Sequence, residues 1–269
     1  MAEAYDATFT NSWIGRTQRD VVLRQVNCAF LPGQRILEIN CGTGIDALYM
    51  AKLGIDVLAC DSSPRMIEVA RRRPALSTPE GRVDFRVLAT EQLETLVVGE
   101  GLAQFDGVLS NFAGLNCVQD LEAVAFQLAR LLKPGARALL CIFGNFCIWE
   151  VVWYALHGNL SKALRRFRAE GMTTEIASGV TVRVHYPSVA EMERTFRPHF
   201  QLKEWKGVGV AVPPSYMEPW AKRFPQILRI LAIADRFLAR CPGIRATADH
   251  WLLTFEQSLD PAVTHDCPL

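Results

Sequence analysis

The chain lacks any stretch near the roughly 18 uninterrupted apolar residues that cross a membrane as a helix. Its first residues, Met1 to Trp13, have neither the basic flank nor the apolar run of a secretory signal. A cytosolic protein without a transmembrane segment is therefore expected. Charge of one sign is not in excess: 29 lysines and arginines face 28 aspartates and glutamates, a net +1. That balance argues against a nucleic-acid partner, which would require a basic face, and against a charged disordered tail. Paired cysteines are also missing. The eight present (Cys28, Cys41, Cys60, Cys117, Cys141, Cys147, Cys241 and Cys267) lie singly, with no CxxC pair and no histidine at ligand spacing. They read as reduced, mostly buried thiols, with no metal site expected. The absence of internal repeats and low-complexity tracts excludes solenoids and linker-rich arrays.

What is present is an alternation of strands and helices. Half of the 269 residues are apolar, enough for one ordinary core. Gln34 to Ile39 is a short apolar run after the turn pair Pro32-Gly33, and it stops at a glycine-rich turn, Asn40-Cys41-Gly42-Thr43-Gly44. Asp46 to Leu53 has helical spacing and ends at Gly54; Asp56 to Cys60 reads as a second strand, with Asp61 at its carboxyl end and Ser63-Pro64 opening the next helix. Val83 to Val87, Phe105 to Ser110 and Ala136 to Ile142 are three further strands, separated by helical patterns at about Glu91 to Val97 and Leu121 to Leu132. The rhythm breaks after Phe143 and resumes with a helix at Ser188 to Phe196 and strands at Phe200 to Val210 and Trp251 to Glu256. The expected architecture is a doubly wound, Rossmann-like α/β fold: a seven-stranded, mostly parallel sheet with helices on both faces. One domain would span 1–259, with core segments 20–142 and 188–259, helical insertions at about 143–187 and 213–248, and a flexible tail at 260–269.

A glycine turn between a strand and its helix lets backbone N–H groups approach a ligand closely. Asn40-x-Gly42-x-Gly44 lacks the third glycine of GxGxxG, since Ala47 is the next small residue, which disfavours a dinucleotide dehydrogenase. Asp61, 17 to 20 residues beyond the turn, is placed to accept from two ribose hydroxyls, or alternatively to cap the helix near Ser63.

Four ordered segments carry a resemblance. Ile36-Leu37-Glu38-Ile39-Asn40-Cys41-Gly42-Thr43-Gly44 and Cys60-Asp61-Ser62-Ser63, with Met66 and Ala70, resemble the first two motifs of the class I S-adenosylmethionine-dependent methyltransferases. Phe105-Asp106-Gly107-Val108-Leu109-Ser110-Asn111 resembles that family's fourth strand, and Leu131-Leu132-Lys133-Pro134-Gly135 the turn before its fifth. The resemblance implies S-adenosyl-L-methionine as cofactor. It puts Glu38 at the glycine turn and the methionine amine, Cys41, Gly42, Thr43 and Gly44 around the cofactor, Asp61 and Ser62 at the ribose with Met66 nearby, and Asn111 beside the methionine portion. Two positions depart from the family pattern. Asn40 replaces its usual first glycine, the least costly substitute where φ is positive. Ala89 replaces the acidic residue that often meets the adenine, leaving Thr90 and Glu91 or their backbone for that contact. The N-terminal segment, with Tyr5, Phe9, Trp13 and Arg16, resembles the part that folds over the cofactor in many relatives; a surface helix with a solvated arginine is the alternative.

Methyl transfer from a sulfonium needs alignment and exclusion of water more than any fixed catalytic signature. His185 in Val184-His185-Tyr186-Pro187 is the leading base candidate, ahead of His157 and of Asp249-His250. The aromatics of the two insertions (Phe146, Trp149, Trp153 and Tyr154; Tyr216 and Trp220) suit an apolar lid over a hydrophobic small-molecule acceptor, or simply pack the insertions on the sheet. Lys162, Arg165, Arg166 and Arg168 read as a solvated helix face, with contact to an anionic membrane surface as the alternative. Methylation of oxygen or carbon of an apolar small molecule is the function expected. A lipid or quinone methyltransferase at a membrane surface and a non-catalytic cofactor-binding regulatory subunit are the alternatives.

Overall fold

Arg35–Ile39 (β1) forms a strand because its apolar run is too short for a helix and is bounded by the Gly33 turn and the glycine-rich turn at 40–44. Its period of two divides it between two cores: Ile36 enters one, Leu37 and Ile39 the other. A computed structural model describes residues 5–73, 80–167, 171–177 and 180–258 of the chain. The helix Trp13–Ala29 (α1) precedes β1. After it come Ile45–Lys52 (α2), Asp56–Asp61 (β2), Pro64–Arg72 (α3), Val83–Val87 (β3), Glu94–Glu100 (α4), Phe105–Ser110 (β4), Leu121–Leu131 (α5) and Leu132–Phe143 (β5). The sequence boundaries hold to within a few residues here; β5 begins four residues before its expected start at Ala136.

Beyond β5 lie Ile148–Leu156 (α6), Leu160–Ala163 (α7), Met172–Ala177 (β6), Val180–Val184 (β7), Val189–Phe196 (α8), Phe200–Val208 (β8), Glu218–Arg223 (α9), Pro225–Leu238 (α10) and His250–Gln257 (β9). The main sheet has the order β3-β2-β1-β4-β5-β9-β8. β1 to β5 are parallel, and β9 runs antiparallel to both β5 and β8. Connections from β1 run outward to β2 and β3, then cross back to β4 and β5. The chain therefore switches direction between β1 and β4, where the loops leaving the two carboxyl ends diverge and open a crevice. The antiparallel β9 brings its first residue, His250, opposite Phe143 at the same end of the sheet.

Each face of the sheet is covered. Val22 and Val26 of α1, Met50 of α2 and Ile67 of α3 pack on one side, while Leu96 of α4, Leu128 of α5 and Phe196 of α8 pack on the other. A third core joins Ile14 of α1 to Val212, Met217, Ala221 and Leu228, with Trp149, Trp153 and Trp220 around them. Glu218 fixes its geometry by accepting from the N–H groups of Trp13 (2.8 Å) and Ile14 (3.1 Å).

Two expectations fail in the insertions. Residues 143–187 are not wholly helical, because β6 and β7 form a separate two-stranded antiparallel sheet. Their threonine- and valine-rich sequence is β-branched and suits a pleated surface better than a helix. The basic segment Ser161 to Arg168 is not one helix: α7 ends at Ala163 and a 3₁₀ turn covers Arg165–Phe167, while Arg168 lies outside the described residues, as does the tail from Asp260. Among the described residues no helix is long and apolar enough to cross a membrane, and no acidic, histidine or cysteine cluster could hold a metal ion.

Candidate cofactor and acceptor site

The glycine-rich turn lies at the switch point. Asn40 takes φ 57° and is held by donating to Thr90 Oγ1 (2.9 Å) and accepting from Ser110 Oγ (3.1 Å). Thr90, expected at the adenine, is thus a buried brace for Asn40. Gly42 has φ 55° and nothing within 4 Å of where a Cβ would stand, whereas a Cβ on Gly44 (φ 73°) would come within 2.5 Å of the Phe85 ring. Gly42 therefore faces open space, and Gly44 allows α2 to lie close to the sheet. Asp61 accepts from the N–H groups of Gly42 (2.8 Å) and Ser63 (2.9 Å), tying the end of β2 to the turn. Burial pushes its carboxyl above the usual range, and those two bonds oppose the shift. Asp61 is not the cap of the next helix, which is Ser63 accepting from the Met66 N–H, and its side chain stays partly exposed beside the turn.

Glu38 is 1 % exposed at the base of the turn, and its Oε2 has no hydrogen-bond partner. Burial, with Asp46 close by, drives its carboxyl well above the ordinary range. Leaving such an oxygen unsatisfied is costly, and a cationic amine bound at the turn would relieve it. Asn111 donates to Asp46 Oδ2 (2.9 Å), which also accepts from Arg19 Nη1 (2.6 Å). Cys41 is buried, its thiol pushed up by burial. Ser62 and Glu91 are exposed, and Met66 and Ala89 half-buried, around the ends of β2 and β3.

The N-terminal segment does cover this turn, with a different arginine. Arg16 points outward, into a groove with Trp13, Pro225 and Arg229. Arg19, one turn further along α1, is buried over the Phe112 ring, 4.9 Å from its centroid. The helical spacing could have revealed this, since Arg19 lies three residues before Val22 and seven before Val26, on the inner face, and Arg16 does not share that face. Tyr5 and Thr10 reduce the cavity above the turn to about 20 Å³, about one water molecule. Burial raises the Tyr5 phenol to about 12. Asp6 fastens the segment: it accepts from Thr43 Oγ1 (2.7 Å) and from Arg73, whose Nε donates to the Thr43 carbonyl (2.7 Å). Asp6, Asp46 and Arg73 carried no local signal that named them.

Next to the turn stands a ring stack. Phe112, strained at φ 50°, meets His250 edge-on at 5.4 Å, and His250 stacks on Phe143 at 4.5 Å. On the far side of Phe143 a cavity of about 470 Å³ is lined by His185, Tyr186, Arg166, Phe167, Asn145 and Arg194, among others. His185 is anchored through its backbone, its N–H donating to the Asn116 carbonyl (2.7 Å) and its carbonyl accepting from Asn116 Nδ2 (2.6 Å). Its Nε2 is buried without a partner. His157 is exposed and bonded to the Trp153 carbonyl, away from this cavity.

Two members of the basic cluster, Arg165 and Arg166, are not part of a solvated face, whereas Lys162 is exposed and Arg168 lies outside the described residues. Arg166 is 5 % exposed and bridges Glu150 (2.9 Å) and Asp249 (2.6 Å), while Arg165 makes a bidentate pair with Glu150 (2.6 and 2.7 Å). These carboxylates are themselves buried, so they draw the guanidinium groups inward. Burial alone would raise Asp249, but the positive charges at His250, when protonated, and at Arg166 hold it below the usual range. Burial depresses His250 to about 4 against the pull of Asp249, leaving a neutral imidazole at neutral pH. The insertion aromatics Trp149, Trp153 and Trp220 close on one another in the third core and do not line the 470 Å³ cavity.

Residues 36–135 match the family model described as a methyltransferase domain. Over 110 residues the chain is 37% identical to a ubiquinone biosynthesis O-methyltransferase of Xanthomonas oryzae pv. oryzae, covering 41% of this chain and 43% of that protein. Over 146 residues it is 35% identical to a demethylmenaquinone methyltransferase of Clavibacter sepedonicus, covering 54% and 56%. The chain thus spans about half the length of the curated relatives it matches. A crystal structure titled as a putative S-adenosylmethionine dependent methyltransferase from Listeria monocytogenes superposes with a TM-score of 0.56 at 19% identity, covering 84% of this chain and 91% of that one. The matched segment, residues 36–135, holds the glycine turn and Asp61, so the similarity to methyltransferase domains falls on the candidate site.

Proposed function

We propose that the protein transfers a methyl group from S-adenosylmethionine to an oxygen or carbon of an apolar small molecule of the quinone-precursor kind. The observation that carries this reading is the set at the switch point: the unpartnered Glu38 oxygen, the open space at Gly42 and the exposed edge of Asp61. Their chemistry suits the cofactor's amine and ribose, and because the cavity above the turn is only about 20 Å³, the N-terminal segment must lift before the cofactor enters. When bound there, the sulfonium supplies an electrophilic methyl group for in-line displacement. The protein's own contribution is positional. Asp6 and Arg73 fasten the N-terminal segment over the turn and exclude water, and Arg19 with Asn111 holds Asp46 near the amine end. The 470 Å³ cavity has the size of a small-molecule site. Within it, His185 is the candidate to accept a phenolic proton, and Arg166 and Tyr186 border the acceptor. The quinone-type acceptor is supported by the two relatives, a ubiquinone biosynthesis O-methyltransferase and a demethylmenaquinone methyltransferase.

Calorimetric titration with S-adenosylmethionine and with NAD, repeated on Asp61→Ala, tests the cofactor step. The sulfonium cofactor alone should bind, and the variant should bind it roughly 10- to 100-fold more weakly, the loss of one or two charge-assisted hydrogen bonds. Absence of binding by folded wild-type protein would end the reading. Binding without turnover of any phenolic or quinol acceptor would favour a regulatory subunit.

A further inference from the structure

Helix α10 is apolar on two opposite sides. Its inner side is buried through Leu228, Asp235 and Ala239, with Asp235 accepting from the N–H groups of Gly209 and Ala211. Two residues along a helix are about 200° apart, so Ile230 and Phe237 stand opposite Leu228 and Asp235. They are 65% and 72% exposed, and Ile233 between them is 55% exposed. Ile227 and Phe224 extend the strip towards the start of the helix, both about half exposed. Solvent-facing positions of a surface helix are ordinarily polar, and a contiguous apolar strip marks an interaction surface.

The charges beside the strip have one sign. Between Glu218 and Arg240 the chain has Lys222, Arg223, Arg229, Arg236 and Arg240 against two acids, Glu218 and Asp235. Both acids are engaged inward, Glu218 at the first turn of α1 and Asp235 in the loop after β8. Arg229 and Arg236, seven residues apart, lie exposed on one side of α10 at the edge of the strip, and the exposed Arg240 follows just beyond the end of the helix. A groove of about 300 Å³ between α10 and α1 adds Arg16 and a 42% exposed Trp13. An exposed apolar ridge, an arginine row at its margin and a tryptophan at its edge match an amphipathic helix lying in a lipid interface.

We propose that α10 docks the protein on an anionic phospholipid surface, with Ile230, Ile233 and Phe237 entering the acyl boundary and Arg229, Arg236 and Arg240 meeting the phosphates. The arginine row favours this occupant over a second copy of the chain: two copies meeting isologously on this strip would set like charges against each other. The surface is separate from the glycine turn and does not depend on the cofactor reading, although membrane docking would deliver the enzyme to a lipid-soluble acceptor.

The test is co-sedimentation of the full chain with vesicles of phosphatidylcholine alone and of phosphatidylcholine with phosphatidylglycerol, at low and high salt. Anionic vesicles should bind it and high salt should weaken binding. The variant I230S/F237S should lower the partition coefficient roughly tenfold or more, from lost apolar burial. The variant R229Q/R236Q should bind more weakly and with less salt dependence. All substituted side chains are exposed, so circular dichroism and S-adenosylmethionine titration should be unchanged. Failure of vesicle binding therefore leaves the cofactor reading standing, and failure of the titration leaves this one standing. The proposal is overturned if anionic vesicles leave the protein in the supernatant, if I230S/F237S binds as wild type does, or if the protein ignores vesicles and sediments as a dimer that I230S/F237S dissociates.

Discussion

His250 offers a quantitative check of how the interior at the end of β9 is built. The side chain is 3% exposed, stacked between Phe143 and Phe112, and its Nδ1 makes no hydrogen bond, 3.4 Å from Asp249. Burial lowers its pKa from 6.5 to about 4. Because the folded value lies below the unfolded one, the unfolded chain takes up a proton first as pH falls. The associated stability is present above pH 6.5 and is lost between there and about 4. Between pH 7 and pH 5 the shift corresponds to roughly 2 kcal/mol. His250→Phe keeps a ring in the stack and removes the titration. Urea unfolding at pH 7 and pH 5 reads the effect, with other titrating groups common to both proteins. Wild type should lose about 2 kcal/mol more than the variant over that interval. Equal losses would mean that the imidazole is solvated or stably paired in the folded state, and the assignment of a neutral, buried His250 would be refuted.

Other perturbations separate structure from binding. Arg166→Met leaves Asp249 buried without its cation and Glu150 with Arg165 alone, and about 3–5 kcal/mol should be lost, lowering Tm by on the order of 10 °C; a shift under about 2 °C in scanning fluorimetry would contradict the network. Gly42→Ala and Gly44→Ala should divide cleanly. The first costs only the roughly 1–2 kcal/mol of a left-handed conformation and should weaken S-adenosylmethionine binding more than it lowers Tm. The second adds a clash with Phe85 and should lower Tm by several degrees more than Gly42→Ala does; the reverse order of Tm values would overturn the reading of the turn.

The segments from β1 to β5 could be read from the chain because their determinants are local. A short apolar run between turns makes a strand, Asn40 and the glycines make a turn with positive φ, and Ser63-Pro64 starts a helix with the serine accepting from Met66. The β6–β7 pair was written in its β-branched residues but was obscured by the aromatic and basic stretch before it. Side-chain partners far apart in the chain were not legible. Arg166 meets Asp249 across 83 residues, and Arg19 meets Asp46 across 27. Nothing near Arg166 distinguishes a solvated cation from one drawn into a buried pair, because the carboxylates that decide it arrive on α6 and at the residue just before β9. By itself, then, the sequence determined the doubly wound sheet, the glycine turn and the acidic residue at the end of β2, since backbone conformation follows from short-range sterics and apolar periodicity. Only the tertiary structure decided which carboxylates hold the buried arginines, which histidine faces a cavity, and which apolar helix face is left in solvent, because those depend on desolvation by elements distant in the chain.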